Sequence, residues 1–150
     1  NLPGIEKVED ITPQFWENRM EQMVNIEKHI SLNGTKVLKF YFHMSKDEQR
    51  ERLLKRLENP EDNWKFSTGD LKERALWDDY MKYYEEAINK TSTDFAPWYI
   101  IPADDKGVAR YIVAKIIWEE LEKLTDISEP ELDPKVKANI EEYRTQLKKM

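Results

Sequence analysis

Between Gln49 and Arg74 the sequence carries seven basic side chains, at positions 50, 52, 55, 56, 65, 72 and 74. Arg52 and Arg56 stand four residues apart, so a helix would place both on one face. Like charges at that spacing cost a helix a few tenths of a kcal/mol. An anion held between them reverses the sign, because the guanidinium fork matches paired oxygens of a phosphate. Six acidic residues share the same stretch, which leaves it a net charge of only +1. A basic site therefore exists only if folding gathers the cations on one side. The competing reading is a solvated, ion-paired surface: Arg52 with Glu48, Arg56 with Glu51 or Asp62, Arg74 with Asp70. From charge pattern alone the ion-paired surface is favoured. Lys65 sits between Trp64 and Phe66, as an ordinary loop lysine or as a cation that meets an anion when the segment moves. A second candidate cluster is "PADDKGVAR", with Asp104, Lys106 and Arg110. Its plainer role is capping of the following helix by Asp104 or Asp105.

Other chemistries are poorly supplied. There is no cysteine, which excludes disulfides and thiolate catalysis. His29 and His43 have no second ligand at metal spacing, so no metal site is expected. The four glycines form no phosphate cradle. A net charge of -6 and a pI near 5.1 argue against general binding to nucleic acid or an anionic membrane, where a basic field supplies most of the affinity. No apolar run is long enough for a membrane span, and a cytoplasmic location is expected.

The elements that must position these residues can be read from caps and periodicity. Thr12-Pro13 starts a helix that Asn33-Gly34 ends. "KVLKFYFHM" is short, apolar and aromatic, the pattern of a buried strand over 37–44. Ser45 and Glu48 form a capping box for a helix that stops before Pro60. Ser67 and Asp70 repeat that box and predict one long helix to about Asn89. "APWYIIPA" is a second buried strand over 96–103, and a long helix follows from Gly107. A polar tail ends in an amphipathic helix from about Pro134. Two strands buried on both faces, each followed by a helix, predict part of a parallel α/β sheet. Trp16, Trp77, Trp98 and Trp118 fall on apolar periodicities, and core packing is expected of them, as of Met20 and Met23.

Five motifs occur in a specific order: Ser45-Lys46-x-Glu48-Gln49, Asn63-Trp64-Lys65-Phe66-Ser67, Arg74-Ala75-x-Trp77-Asp78-Asp79-Tyr80, Ala96-Pro97-Trp98-Tyr99 and Pro102-Ala103-Asp104-Asp105-Lys106. In this order and spacing the chain resembles the C-terminal half of the polyphosphate kinase 2 family, from about Thr12 to Leu124. The resemblance implies an α/β fold: part of a P-loop kinase-like (thymidylate-kinase-like) parallel sheet with a helical lid, mostly helical in this stretch. It implies that residues 1–124 are the C-terminal half of such a domain, with the lid at about 45–90, and that 125–150 are a polar tail. The family's Walker A and Walker B segments would precede Asn1. The implied activity is phosphoryl transfer between inorganic polyphosphate and a nucleoside mono- or diphosphate. Mg²⁺ is the implied cofactor, with its ligands outside this chain, and a homo-oligomer is expected. By the same resemblance Arg52 and Arg74 are catalytic, with Arg56 and Lys65 binding substrate; Asp104, Lys106 and Arg110 are substrate-binding candidates because ligands of open parallel sheets sit at the C-terminal strand ends, where their loop lies. The family usually carries more basic residues beside Lys106 than Gly107 and Val108 supply. An alternative reading is a non-catalytic binding or assembly module derived from that fold.

Overall fold

A computed structural model describes Lys7, residues 11–125 and residues 127–150. The chain divides into two compact units, Asn1–Lys115 and Ile116–Met150. The described elements run in the order α1 (Pro13–Leu32), β1 (Lys39–His43), α2 (Lys46–Glu58), a 3₁₀ turn (Pro60–Lys65), α3 (Thr68–Ala75), α4 (Trp77–Thr91), β2 (Trp98–Pro102), α5 (Lys106–Leu121) and α6 (Pro134–Lys149).

β1 and β2 pair in parallel, with Lys39 opposite Trp98 and His43 opposite Pro102. Parallel neighbours need a long crossover, and residues 44–97, with α2, α3 and α4, supply it. The two strands are tied at their start by a nearly buried ion pair. Lys39 Nζ lies 2.7 Å from Glu27 of α1 and donates to the Thr91 carbonyl at 2.7 Å. It also sits 5.2 Å from the Trp98 ring centre, while Trp98 Nε1 donates to Thr91 Oγ1 at 2.9 Å. One ammonium thus joins α1, β1, the end of α4 and β2, and removing either charge would leave the other poorly solvated. Phe40 stacks on Tyr99 across the ladder, and Tyr41 meets Tyr84 of α4.

The structure departs from the sequence expectations in several respects, one of them at the start of α2, where Ser45 N–H donates to Asp104 so that the capping box expected with Glu48 is only half made. The strands are shorter than predicted, and burial on both faces is not found: Phe42 is 52% and Ile100 59% exposed. Among the described residues the sheet has two strands only, so parts of each face lack cover. The turn after α2 is a 3₁₀ helix, because Asn59 caps Pro60–Lys65 by accepting from Glu61 N–H at 3.3 Å. The single helix predicted from Ser67 to Asn89 is broken at Leu76, whose N–H bonds back only three residues, to the Glu73 carbonyl at 3.1 Å. That tighter last turn ends α3, and α4 restarts without a side-chain cap, with Asp78 and Asp79 against its positive end. Finally, Trp16, Met23 and Trp118 are exposed rather than packed in a core. Periodicity marks the face that wants cover, but the described elements do not cover it.

In the second unit Asp133 caps α6 by accepting from Lys135 N–H at 2.7 Å, and Arg144 pairs with Glu141.

Candidate functional site

The site is built on the hairpin formed by α2, the 3₁₀ turn and α3, where three caps in succession fix the chain. Ser45 Oγ accepts from Glu48 N–H at 3.1 Å and starts α2. Asn63 Nδ2 donates to the Arg56 and Leu57 carbonyls, at 2.7 and 2.9 Å, and closes the end of the same helix. Ser67 and Asp70 form the expected capping box at the start of α3. These bonds fold the hairpin back so that the Lys65 carbonyl meets Arg56 Nη1 at 3.4 Å.

That return gathers the cations. A cleft of about 290 Å³ is lined by Arg52, Lys55, Arg56, Lys65 and Lys106, with Asp62 as its one carboxylate. The near-neutral charge of the segment is thereby resolved in space, with four of its cations and Lys106 of α5 facing one opening. Asp62 accepts from Lys65 at 2.5 Å and from Asn59 at 2.8 Å. Those two bonds, with Arg56 nearby, hold its carboxyl below the usual carboxylate range. A larger cleft of about 460 Å³ shares Arg52 and Arg56 and adds Arg74, Gln49, Trp77 and Tyr84. The two arginines at i and i+4 form the seam between the openings, one purely ionic and one partly aromatic.

The sequence candidates divide as follows. Arg52, Arg56, Lys65 and Lys106 come together in the basic cleft, and Arg74 faces the adjoining one. Arg52 makes its expected pair with Glu48, at 2.7 Å, but its Nη2 also donates to the Ala103 and Asp104 carbonyls, at 2.7 and 3.1 Å. Arg56 pairs with Asp70 at 3.8 Å rather than with Glu51 or Asp62. Arg74 does not pair with Asp70; its Nη1 crosses to α2, donating to the Lys46 carbonyl at 2.7 Å and to Gln49 Oε1 at 2.8 Å. Asp104 does not line the basic cleft. Its carboxylate accepts from Ser45 N–H at 2.7 Å, and that bond, then the Ser45 hydroxyl, then the charges of Arg52 and His43, keep it below its ordinary value. Asp105 caps α5, accepting from Gly107 and Val108 N–H at 2.7 and 2.9 Å. Arg110 is exposed and lines neither cleft. Lys55 is the cation that sequence reasoning passed over; its place one turn after Arg52 was the available signal. Trp64 is 79% exposed at the tip, with the Lys65 ammonium 5.4 Å from its ring centre.

No group of three His, Cys, Asp or Glu placed to hold a metal ion occurs among the described residues. What the arrangement can do is bind a polyanion. Five cations facing one opening, with a single carboxylate among them, suit a flexible polyanion, which offers charge and no sequence to read. No helix among the described residues is long and apolar enough to cross a membrane.

The family described as polyphosphate kinase 2 (PPK2) matches residues 1–129. An ADP-polyphosphate phosphotransferase from Rhodopseudomonas palustris is 47% identical over 94% of this chain and 48% of its own. An AMP/ADP-polyphosphate phosphotransferase from Meiothermus ruber is 46% identical over 80% of this chain and 45% of its own. The crystal structure of a polyphosphate kinase 2 from Arthrobacter aurescens TC1 superposes with a TM-score of 0.79 at 37% identity, over 87% of this chain and 46% of that one. The chain spans about half the length of the curated relatives it matches.

Proposed function

The chain belongs to the polyphosphate kinase 2 family, and from that premise we propose that it supplies the lid and C-terminal half of a polyphosphate-dependent nucleotide phosphotransferase. The observation that carries the reading is the basic cleft, in which Arg52, Lys55, Arg56, Lys65 and Lys106 converge beside the loop after β2. In the proposed reaction the terminal P–O–P bond of polyphosphate breaks as a terminal phosphate oxygen of the nucleotide bonds to the departing phosphorus. The polyphosphate shortens by one unit and the nucleotide gains one.

Such a transfer asks the protein for little covalent chemistry. It needs in-line positioning, and positive charge where the equatorial oxygens carry the developing negative charge. Lys55, Lys65 and Lys106 hold the polyphosphate as point charges. Arg52 and Arg56, at the seam of the two clefts, contact the transferring group, and Arg74 reaches it from α3. The hairpin acts as a lid whose closure excludes water from the phosphoryl group. Mg²⁺ would shield the phosphate charges when bound, and its ligands are assigned outside this chain.

The reading is tested in the whole enzyme by ATP formation from polyphosphate and ADP. Arg52→Ala lowers kcat by about 10³-fold, the scale for an arginine that stabilises transferring phosphoryl charge. The melting temperature falls as well, because Arg52 also holds the Ala103 and Asp104 carbonyls, but the loss of kcat is far larger than the loss of folded enzyme. Loss of activity only in step with loss of stability would restore the ion-pair reading.

A further inference from the structure

β1 ends at His43 and β2 at Pro102, and each is followed by a short loop into a helix. The two loops are bonded to each other, and the bonds close into a ring. Asp104 carboxylate accepts the Ser45 N–H at 2.7 Å. Ser45 Oγ accepts the Glu48 N–H at 3.1 Å. Glu48 carboxylate accepts Arg52 Nε–H at 2.7 Å. Arg52 Nη2 then returns to the start, donating to the Ala103 carbonyl at 2.7 Å and to the Asp104 carbonyl at 3.1 Å.

Two neighbouring aspartates make the ring possible by dividing the work. Asp105 takes the N-terminal N–H groups of α5, so Asp104 is left to reach across to α2. Arg52 has five N–H donors in a rigid fork. The ring engages Nε and Nη2, and Nη1 carries the remaining two. A guanidinium pinned at one edge keeps little rotamer freedom to lose when an anion meets its other edge.

We propose that Glu48 and Asp104 are positioning residues that hold the Arg52 guanidinium at the seam between the two clefts, without touching substrate themselves. This rests on the reading of Arg52 as a phosphate-contacting arginine. It also reassigns Asp104, from a residue that binds substrate to one that fixes the residue that does. Glu48 carries a cost in this position, since its negative charge opposes that of the phosphate. Its place in the ring supplies a reason for it: geometry at Arg52.

The test uses the whole enzyme, with kcat, KM for polyphosphate and melting temperature measured on the same preparations. Glu48→Ala and Asp104→Ala each lower kcat by about 10- to 100-fold, the scale of loss when a catalytic group shifts by an ångström. KM for polyphosphate stays within about twofold, because the lysines that hold the chain are untouched. Glu48→Gln and Asp104→Asn keep an acceptor oxygen at each position and restore most of kcat; these isosteric variants also serve if an alanine variant folds poorly. Arg52→Ala combined with Glu48→Ala is no slower than Arg52→Ala alone, since a positioning residue has nothing left to position. Additive losses in that pair would overturn the proposal, as would alanine variants that keep full kcat while Arg52→Ala loses it; in the latter case the role of Arg52 itself stands. If Arg52→Ala keeps full kcat, the phosphate role of Arg52 falls, and this proposal falls with it.

Discussion

Asp62 is the residue whose setting is least expected in an anion site. It is the single carboxylate among five cations in the basic cleft, and it accepts from Lys65 and Asn59. Without ligand it neutralises Lys65, so any phosphate must compete with it for that ammonium. Replacing it by Asn keeps the acceptor for Asn59 and removes the charge. Asp62→Asn should therefore tighten polyphosphate binding by roughly two- to fivefold, the range for one exposed charge pair, with the gain shrinking as salt is raised. Titration of polyphosphate onto both forms at two ionic strengths checks this; an unchanged or weakened affinity would mean that Asp62 orders Lys65 rather than competing for it. The residue types of this site were legible in the sequence, but their partners were not. Arg56 finds Asp70 and Arg74 finds Gln49 because the hairpin folds back. Local spacing proposes only partners close in sequence, and these pairs lie 14 and 25 residues apart.

At the scale of elements, the hairpin is held by caps more than by packing. Asn59, Asn63, Ser67 and Asp70 supply its local bonds, while Trp64 at its tip stands in solvent. The break at Leu76 separates α3 from α4, and the Tyr80 phenol spans it to bond the Glu73 carboxylate. That bond pushes the phenol above its ordinary pKa. A segment with few buried side chains opens at low free energy and is ordered by whatever binds its cations. Hydrogen exchange on the whole enzyme, with and without polyphosphate and Mg²⁺, should show protection rising over 51–74 and nearly constant over 37–42. A hairpin already as protected as β1 without ligand would be a rigid arm. The starts of α1, α2 and α3 were readable because a cap is a short-range bond between residues two or three apart. The break at Leu76 was not, since neither Gly nor Pro marks it.

For the molecule as a whole, the telling quantity is how little is sealed. Among the described residues the buried apolar side chains are Ala96, Ile101, Ala103 and Ala109, and Ile101 alone is large. Such a core contributes little against the conformational entropy of the ordered chain. Measured by itself, the 150-residue chain should form no ATP from polyphosphate and ADP, because the reading assigns it the lid cations and places the phosphate cradle elsewhere in the enzyme. Turnover surviving rigorous purification would overturn that division of roles. The same low burial explains why Trp16, Met23 and Trp118 misled. Their spacing states a demand for cover, and a sequence pattern contains no information on which segment meets it.

The parallel ladder of β1 and β2 has one further consequence. Among the described residues each strand pairs on one side only, so two rows of backbone N–H and C=O groups stand ready for another strand. "KFYFH" in β1 has aromatic residues at alternate and adjacent positions and no proline, a composition prone to intermolecular stacking. Left by itself, the chain should pair with its own copies, and light scattering should then rise steeply with concentration. A lysine in place of the half-exposed Phe42 should delay that onset. Solubility, before any assay of activity, would then report that these edges belong against another strand.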